Sequence, residues 1–394
     1  MNLFKIAFKN IITKPLSTAL SLALLAFGVG MISLLMLLEV QLKEEFDRNI
    51  KDIDLVLGAK GSPLQLILAN VYHIDAPTGN IKLSDAQKVM KNPLIKEAIP
   101  LAYGDNYNMF RIVGTEYSYP EHYDAKISSG NLWEEKFEAT IGSKVAAQSG
   151  LKIGDEFYSA HGLTDQTDVH TNKAFKVVGI FEQSNSVIDQ LILTNIESIW
   201  GIHEDVEYAE GDAPEEEITA VLLKKRNSMA IVRIPNMIKD SNMQVALPSI
   251  EINRLNQNFG IGMDTIRWVA ILIMTLSFVS VFISLYSSLR ERKYELALMR
   301  SMGAKAKSLF VLILIEGLLM IGMGILLGLI FSRVGLVALS NGLENQFHFD
   351  IFEGGILLSE LWLVLITIFV GILASLLPAI EAVTINISKT LSDA

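Results

Sequence analysis

The sequence has no cysteine, so no disulfide can staple any part of the fold and the redox state of its compartment leaves no mark on it. It also has no glycine-rich phosphate loop ending in Gly-Lys-Ser/Thr, which excludes ATP hydrolysis by the P-loop route within this chain. Charge is scarce, at 19% of residues, and the net charge of -10 speaks against a nucleic-acid partner. Most informative are the stretches with no charge at all. Residues 16–38, 268–289 and 361–380 contain none, and 309–332 contain one acid, Glu316. Each run reaches the roughly 20 residues that a helix rising about 1.5 Å per residue needs to cross a hydrocarbon core of about 30 Å. A hydrophobic content of 51% and a mean hydropathy of +0.38 agree with a membrane protein.

The expected fold class is therefore an α-helical membrane protein with four transmembrane helices, and an α+β extracytoplasmic domain inserted between helices 1 and 2. The first segment, 1–40, holds an amphipathic helix and the first span, and the inserted domain takes 41–263. The last part, 264–394, holds spans at about 266–289, 308–332 and 361–381, with a linker at 290–306. Lys5, Lys9 and Lys14 precede the first run as they would in a secretory signal. That run is longer than a usual signal core, however, and no small-x-small cleavage site follows before Gln41, so it is expected to stay as an anchor. Short-loop basic residues set orientation. They gather at the N-terminal flank, at Arg290, Arg292, Lys293, Arg300, Lys305 and Lys307, and at Lys389, whereas 334–360 contain no Lys or Arg. Both termini and the 290s linker are thus expected in the cytoplasm, with the chain in the bacterial inner membrane.

The inserted segment shows β-like runs, "FRIVGTE", "ATIGSKVA", "FKVVGIF", "QLILTN" and "ITAVLLKK", bounded by Gly, Asn, Asp and Pro. "LSDAQKVMKNPLIKEAIP" predicts a helix capped by Ser84 and stopped near Pro93, and 234–260 predict a further helix feeding the second span. "IGSKVAAQSGLKIGDEF" reads as a compact strand–helix–strand unit. The acidic "HEDVEYAEGDAPEEE" suits a translocated segment.

Several residues carry two readings. In the 290s linker, a helix would place Tyr294, Leu298 and Met302 at i, i+4 and i+8 on one apolar stripe flanked by charge, with Gly303 as its stop. Such a stripe suits a groove on a partner protein; equally, a positive-inside linker can rest on lipid headgroups. Glu316 lies about 14 Å into the third span. An intramembrane carboxylate there contacts protons or substrate, or bonds to a neighbouring span or second protomer. Gly317, Gly322, Gly324 and Gly328 predict close helix–helix approach. Phe27, Leu24 and Leu34 read as lipid or helix contacts. His161 and His170 bracket a loop with Asp165 and Asp168, a weak divalent-metal candidate that an exposed polar loop explains equally well, and His73, His122 and His203 are scattered without a motif.

These residues together resemble the FtsX-like permeases of ABC transporters, the group that includes MacB and the lipoprotein-release permeases. "SLRERKYELALMRSMGAKAKSLFVLILIEGLLMIGMGILLGL" follows that group's R-x-R-x-x-E-x-x-x-x-R-x-x-G-A pattern, then a Glu and spaced glycines. "FKNIITKPLSTALSLALLAFGVG" and "LLPAIEAVTINISKTL" resemble its beginning and end, and "IGSKVAAQSGLKIGDEF" with "FKVVGIF" resembles the MacB-like periplasmic core. The resemblance implies a non-enzymatic permease with no cofactor of its own, and ATP and Mg held by a separate ABC ATPase. It also implies a homodimer or a pairing with a related permease, set in membrane lipid, with a periplasmic adaptor or substrate outside. Arg290, Arg292, Tyr294, Glu295, Leu298, Arg300 and Gly303 would then couple to the ATPase, and Glu316, Gly317, Gly324 and Gly328 would pack helices. Helical continuations at 39–49 and 250–258 would carry motion outward. Two other functions stay open: an FtsX-type regulator of an external cell-wall hydrolase, and a membrane receptor that senses a ligand or metal.

Overall fold

A computed structural model describes residues 3–13, 15–160, 169–202, 216–347 and 355–384. The chain divides into two units, Met1–Lys43 with Asn258–Ala394, and Glu44–Gln257. With elements numbered in chain order, the first unit holds α1 (Leu3–Thr13), most of α2 (Pro15–Ile50) and most of α9 (Pro248–Glu291). It is completed by α10 (Lys293–Ser301), α11 (Ala306–Phe347) and α12 (Leu358–Val383). Four of these, α2, α9, α11 and α12, are long and apolar enough to cross a membrane, as the charge-free runs predict. Pro15 and Pro248 each stand first in their helix, where a missing N–H breaks no hydrogen bond.

Two boundaries differ from the expected ones. The helix that carries the third apolar run does not stop at Ser332: α11 continues through Arg333 to Phe347. Arginine is a good helix former, so it does not end the helix, and its guanidinium is paired with Glu360 at 2.7 Å. The helix expected over 234–260 is three elements: α8 (Met229–Met237) ends, β12 (Met243–Ala246) intervenes, and α9 starts at Pro248. Ser241 turns the chain between them, donating to Ile238 O and accepting from Met243 N.

The second unit begins with β1 (Leu55–Ala59), α3 (Pro63–Asn70), β2 (Ile81–Lys82), α4 (Leu83–Met90), β3 (Ile95–Tyr107) and β4 (Phe110–Thr115). There follow α5 (Ser118–His122), β5 (Ile127–Gly130), β6 (Glu138–Ile141), α6 (Ser143–Ser149), β7 (Glu156–Ala160) and β8 (Val169–Phe181). Last, before α8, come β9 (Leu191–Thr194), α7 (Ile196–Ile202), β10 (Glu217–Ile218) and β11 (Ala220–Lys225). Among the described residues ten strands form one mixed sheet, ordered β12-β1-β11-β3-β4-β9-β6-β8-β5 with β7 pairing β3 and β8. Both its faces are covered. Leu55 and Leu57 of β1 join one apolar cluster and Val56 the other, and β11 divides in the same way, Val221 and Leu223 against Ala220 and Leu222. Burial on two sides is why these strands read as continuous apolar runs rather than alternating ones.

Local details correct the reading further. Helix α4 is capped by Lys82 without a side-chain bond, and Ser84 lies inside it. In the strand–helix–strand unit, β6 pairs in parallel with β8, not with β7. The end of α2 and the start of α9 belong to this unit, with Phe46, Ile50, Ile252 and Leu255 packed in the second cluster. Tyr72 donates to Phe46 O at 3.1 Å and Tyr123 to Asn49 O at 2.9 Å, while Val187 N donates to Asn49 Oδ1 at 3.0 Å.

His73, which carries no motif in the sequence, sits buried between two tyrosine hydroxyls, Nδ1 2.6 Å from Tyr103 and Nε2 2.6 Å from Tyr119. Tyr103 donates to Ala69 O, so it accepts from Nδ1–H, and Nε2 is left to accept from Tyr119. Every polar atom of the neutral ring is used. Burial, with Arg111 nearby, holds the imidazole pKa well below its usual value. The folded ring therefore stays neutral where the unfolded chain takes a proton, and this part of the stability, full above about pH 6.5, is lost as pH falls, by at most about 1.4 kcal/mol per unit. Burial lowers His122 as well. The unfolding temperature of the α+β unit should thus fall from pH 7 to pH 5, and His73→Gln, which cannot take the proton, should flatten that slope without abolishing it. Equal slopes in the two proteins would contradict the assignment.

Candidate functional site

The most distinctive surface of the helical unit is α10. It begins one residue after α9 ends, with Arg292 at the elbow. Leu296 and Ala297 are buried against Leu289 of α9, Leu309, Leu312 and Ile313 of α11, Ala379 and Ala382 of α12 and Ala7 of α1. The helix ends at Gly303 with φ of +100°, where Ala304 N donates to Met299 O and Gly303 N to Arg300 O at 3.0 and 3.1 Å. Those two bonds form a Schellman closure, and a side chain at Gly303 would strain the left-handed backbone. The other face is apolar and open: Tyr294, Leu298 and Met302 are 49%, 42% and 73% exposed.

The basic residues of the linker do not act as one group. Arg290 is exposed and lies over the Tyr286 ring at 5.8 Å. Arg292 and Arg300, expected beside the stripe, turn towards the chain's own helices. Arg300 donates to Val383 O at 3.1 Å, satisfying a carbonyl of the last turn of α12. Lys293 pairs with Glu381 at 3.5 Å. Arg292 donates through Nη1 to Glu316 Oε1 at 3.1 Å and through Nε to Glu295 Oε2 at 3.3 Å. Glu316 itself is 2% exposed and also accepts from Asn10 Nδ2. The partners of this carboxylate are thus α1 and the linker, not a neighbouring span.

A family model of the FtsX-like permease C-terminal region matches residues 268–387, and a model of the MacB-like periplasmic core domain matches 18–233. The chain belongs to the FtsX-like, MacB-type permeases of ABC transporters. It is accordingly a multi-pass membrane protein, and transporters of this kind combine a permease with an ATPase. No curated protein matches this permease. Two solved structures are similar to part of this chain. One is the periplasmic region of MacB from Actinobacillus actinomycetemcomitans, at 13% identity and a TM-score of 0.36, covering 54% of this chain and 95% of that one. The other is the extracellular domain of the noncanonic ABC-type transporter YknZ from Gram-positive bacteria, at 12% identity and a TM-score of 0.31, covering 48% and 98%.

The permease's glycines divide by contact. A Cβ on Gly317 would come 2.0 Å from Ser375 Oγ, one on Gly324 2.4 Å from Leu25 Cδ2, and one on Gly328 2.9 Å from Ala26 O. Gly322 meets nothing within 4 Å, so the seam passes it by. Gly30 on α2 and Gly371 on α12, which the sequence reading passed over, are equally tight. Also missed was a second polar centre, where Arg333 holds Glu360 through two bonds and Ser33 donates to the same carboxylate at 2.5 Å. Phe27 lies 5.8 Å from Phe331 and Leu34 joins a leucine cluster with Leu336. Leu24 is half-buried. Among the described residues no group of three or more His, Cys, Asp or Glu could hold a metal. His161, Asp165, Asp168 and His203, and the side chain of His170, lie outside the described residues.

Proposed function

We propose that this permease couples ATP hydrolysis by a separate ABC ATPase, docked on α10, to movement of its α+β domain, and so drives export or extraction of a substrate. The observation that carries it is the open stripe of Tyr294, Leu298 and Met302 on a helix whose opposite face is fully packed. A rigidly seated apolar stripe edged by charge suits a groove on a soluble partner. In this reading the chain is not an enzyme, and ATP and Mg belong to the partner. Two permease copies, or this chain and a related one, face two ATPases, with both termini in the cytoplasm and the chain in the inner membrane. Motion passes along α2 and α9, whose far ends are bonded into the α+β core at Phe46, Asn49, Ile252 and Leu255.

Leu298→Asp places a charge in the middle of the stripe. ATPase recovered on the tagged permease should fall at least about tenfold, the loss typical of a central anchor side chain. Should Leu298→Asp and Tyr294→Asp both yield intact, fully coupled complexes, docking on α10 is wrong.

A further inference from the structure

We propose that Glu316 is a positioning residue: its buried carboxylate fixes the N-terminal end of α10 to α1, so that α10 presents its stripe in one pose. This rests on the reading that α10 receives the ATPase. The apolar contacts beneath α10 cannot set that pose by themselves. The bed mixes small side chains, Ala7, Ala379 and Ala382, with Leu289, Leu309, Leu312 and Ile313, and burial of apolar surface is non-directional. Arg300 and Lys293 tie α10 to α12; its tie to α1 is a polar chain that crosses three elements. Glu295, 68% exposed beside the stripe, accepts from Arg292 Nε. The same guanidinium reaches Glu316 of α11 through Nη1, and Glu316 accepts from Asn10 of α1. A planar guanidinium held by two acceptors fixes angle as well as distance. Arg292 is also the residue from which α10 starts, so holding its side chain holds the first turn.

A cavity of about 20 Å³ adjoins the carboxylate, lined by Asn10, Thr18, Ser284 and Ser288. It has room for a water molecule and no more. The surroundings of Glu316 therefore suit a fixed anchor rather than a substrate contact.

The absence of cysteine allows a direct test. Spin labels at Thr13→Cys and Ser301→Cys, both exposed, report the distance between α1 and α10 in the full-length permease without any ATPase. Pulsed EPR should give one narrow distribution, at least about twofold broader with Glu316→Ala, the pose being released when its directional partner is lost. The exchange Arg292→Glu with Glu316→Arg should narrow it again. Asn10→Ala, a milder change, should broaden it in part and serves if Glu316→Ala fails to fold. An unchanged distribution in Glu316→Ala, or in Asn10→Ala where that is the variant that folds, overturns the proposal. Leu298→Asp should leave the label distances as in the unsubstituted chain while removing the ATPase, so failure of the docking reading and failure of the anchor give different results.

Discussion

Replacing Arg333 with alanine should destabilise the helical unit by about 3–5 kcal/mol, the usual result of stranding a buried charge. Glu360 is 1% exposed. It is held by Arg333 Nη1 and Nη2 at 2.9 and 2.7 Å, by Ser33 at 2.5 Å and by Leu357 N at 2.9 Å. Arg333 brings the only cationic group among these partners, on a two-bonded fork, and alanine brings neither charge nor donor. In detergent the unfolding temperature should drop by roughly 10 °C. Adding Glu360→Gln to the same chain should recover most of that loss, since no charge is then left behind. Glu360→Gln alone should be milder, because the Arg333 side chain keeps 26% exposure and can turn to water. If the single and double variants unfold together, the charge is not what holds α11 to α12 at this point.

The four spans were legible because hydrocarbon excludes charge, so gaps in the charge pattern are nearly the spans themselves. Helix α10 was legible for a related reason: basic residues between two apolar runs, then Gly303 where only glycine turns easily. The same reliance on charge set a span end beside Arg333 but gave no sign of its partner 27 positions on. Long-range pairing was invisible in general. The sequence put Glu316 inside a span but not 306 positions from its partner Asn10, nor against the linker's Arg292. His73, Tyr103 and Tyr119 come together only through the sheet and helix α5. Strand β12 was hidden because "MQVA" is short and stands next to the proline that opens a long helix. Spacing marked Gly317, Gly324 and Gly328 but gave Gly322 the same standing, since period alone does not say which side of a helix has a neighbour.

That difference between glycines gives the second large effect. Gly328→Val should destabilise the packing of α11 on α2 by about 1–3 kcal/mol or more, whereas Gly322→Ala should be neutral or slightly stabilising. A first side-chain carbon on Gly328 would stand 2.9 Å from Ala26 O and 2.9 Å from Val29 Cβ, and one on Gly30 would stand 2.8 Å from Gly328 O. The obstacles are largely backbone, so no rotamer change relieves them, and the two helices must move apart. Separation would loosen Leu25 and Val29, both fully buried, from Ile321 and Ile325. It would also draw Ser33 away from Glu360, coupling this seam to the ion pair at Arg333. Gly328→Val and Arg333→Ala in one chain should therefore lower the unfolding temperature by less than the sum of their separate losses, because the first has already weakened what the second removes. Simple additivity would mean that α2 and α11 meet Glu360 independently of their contact at Gly30 and Gly328.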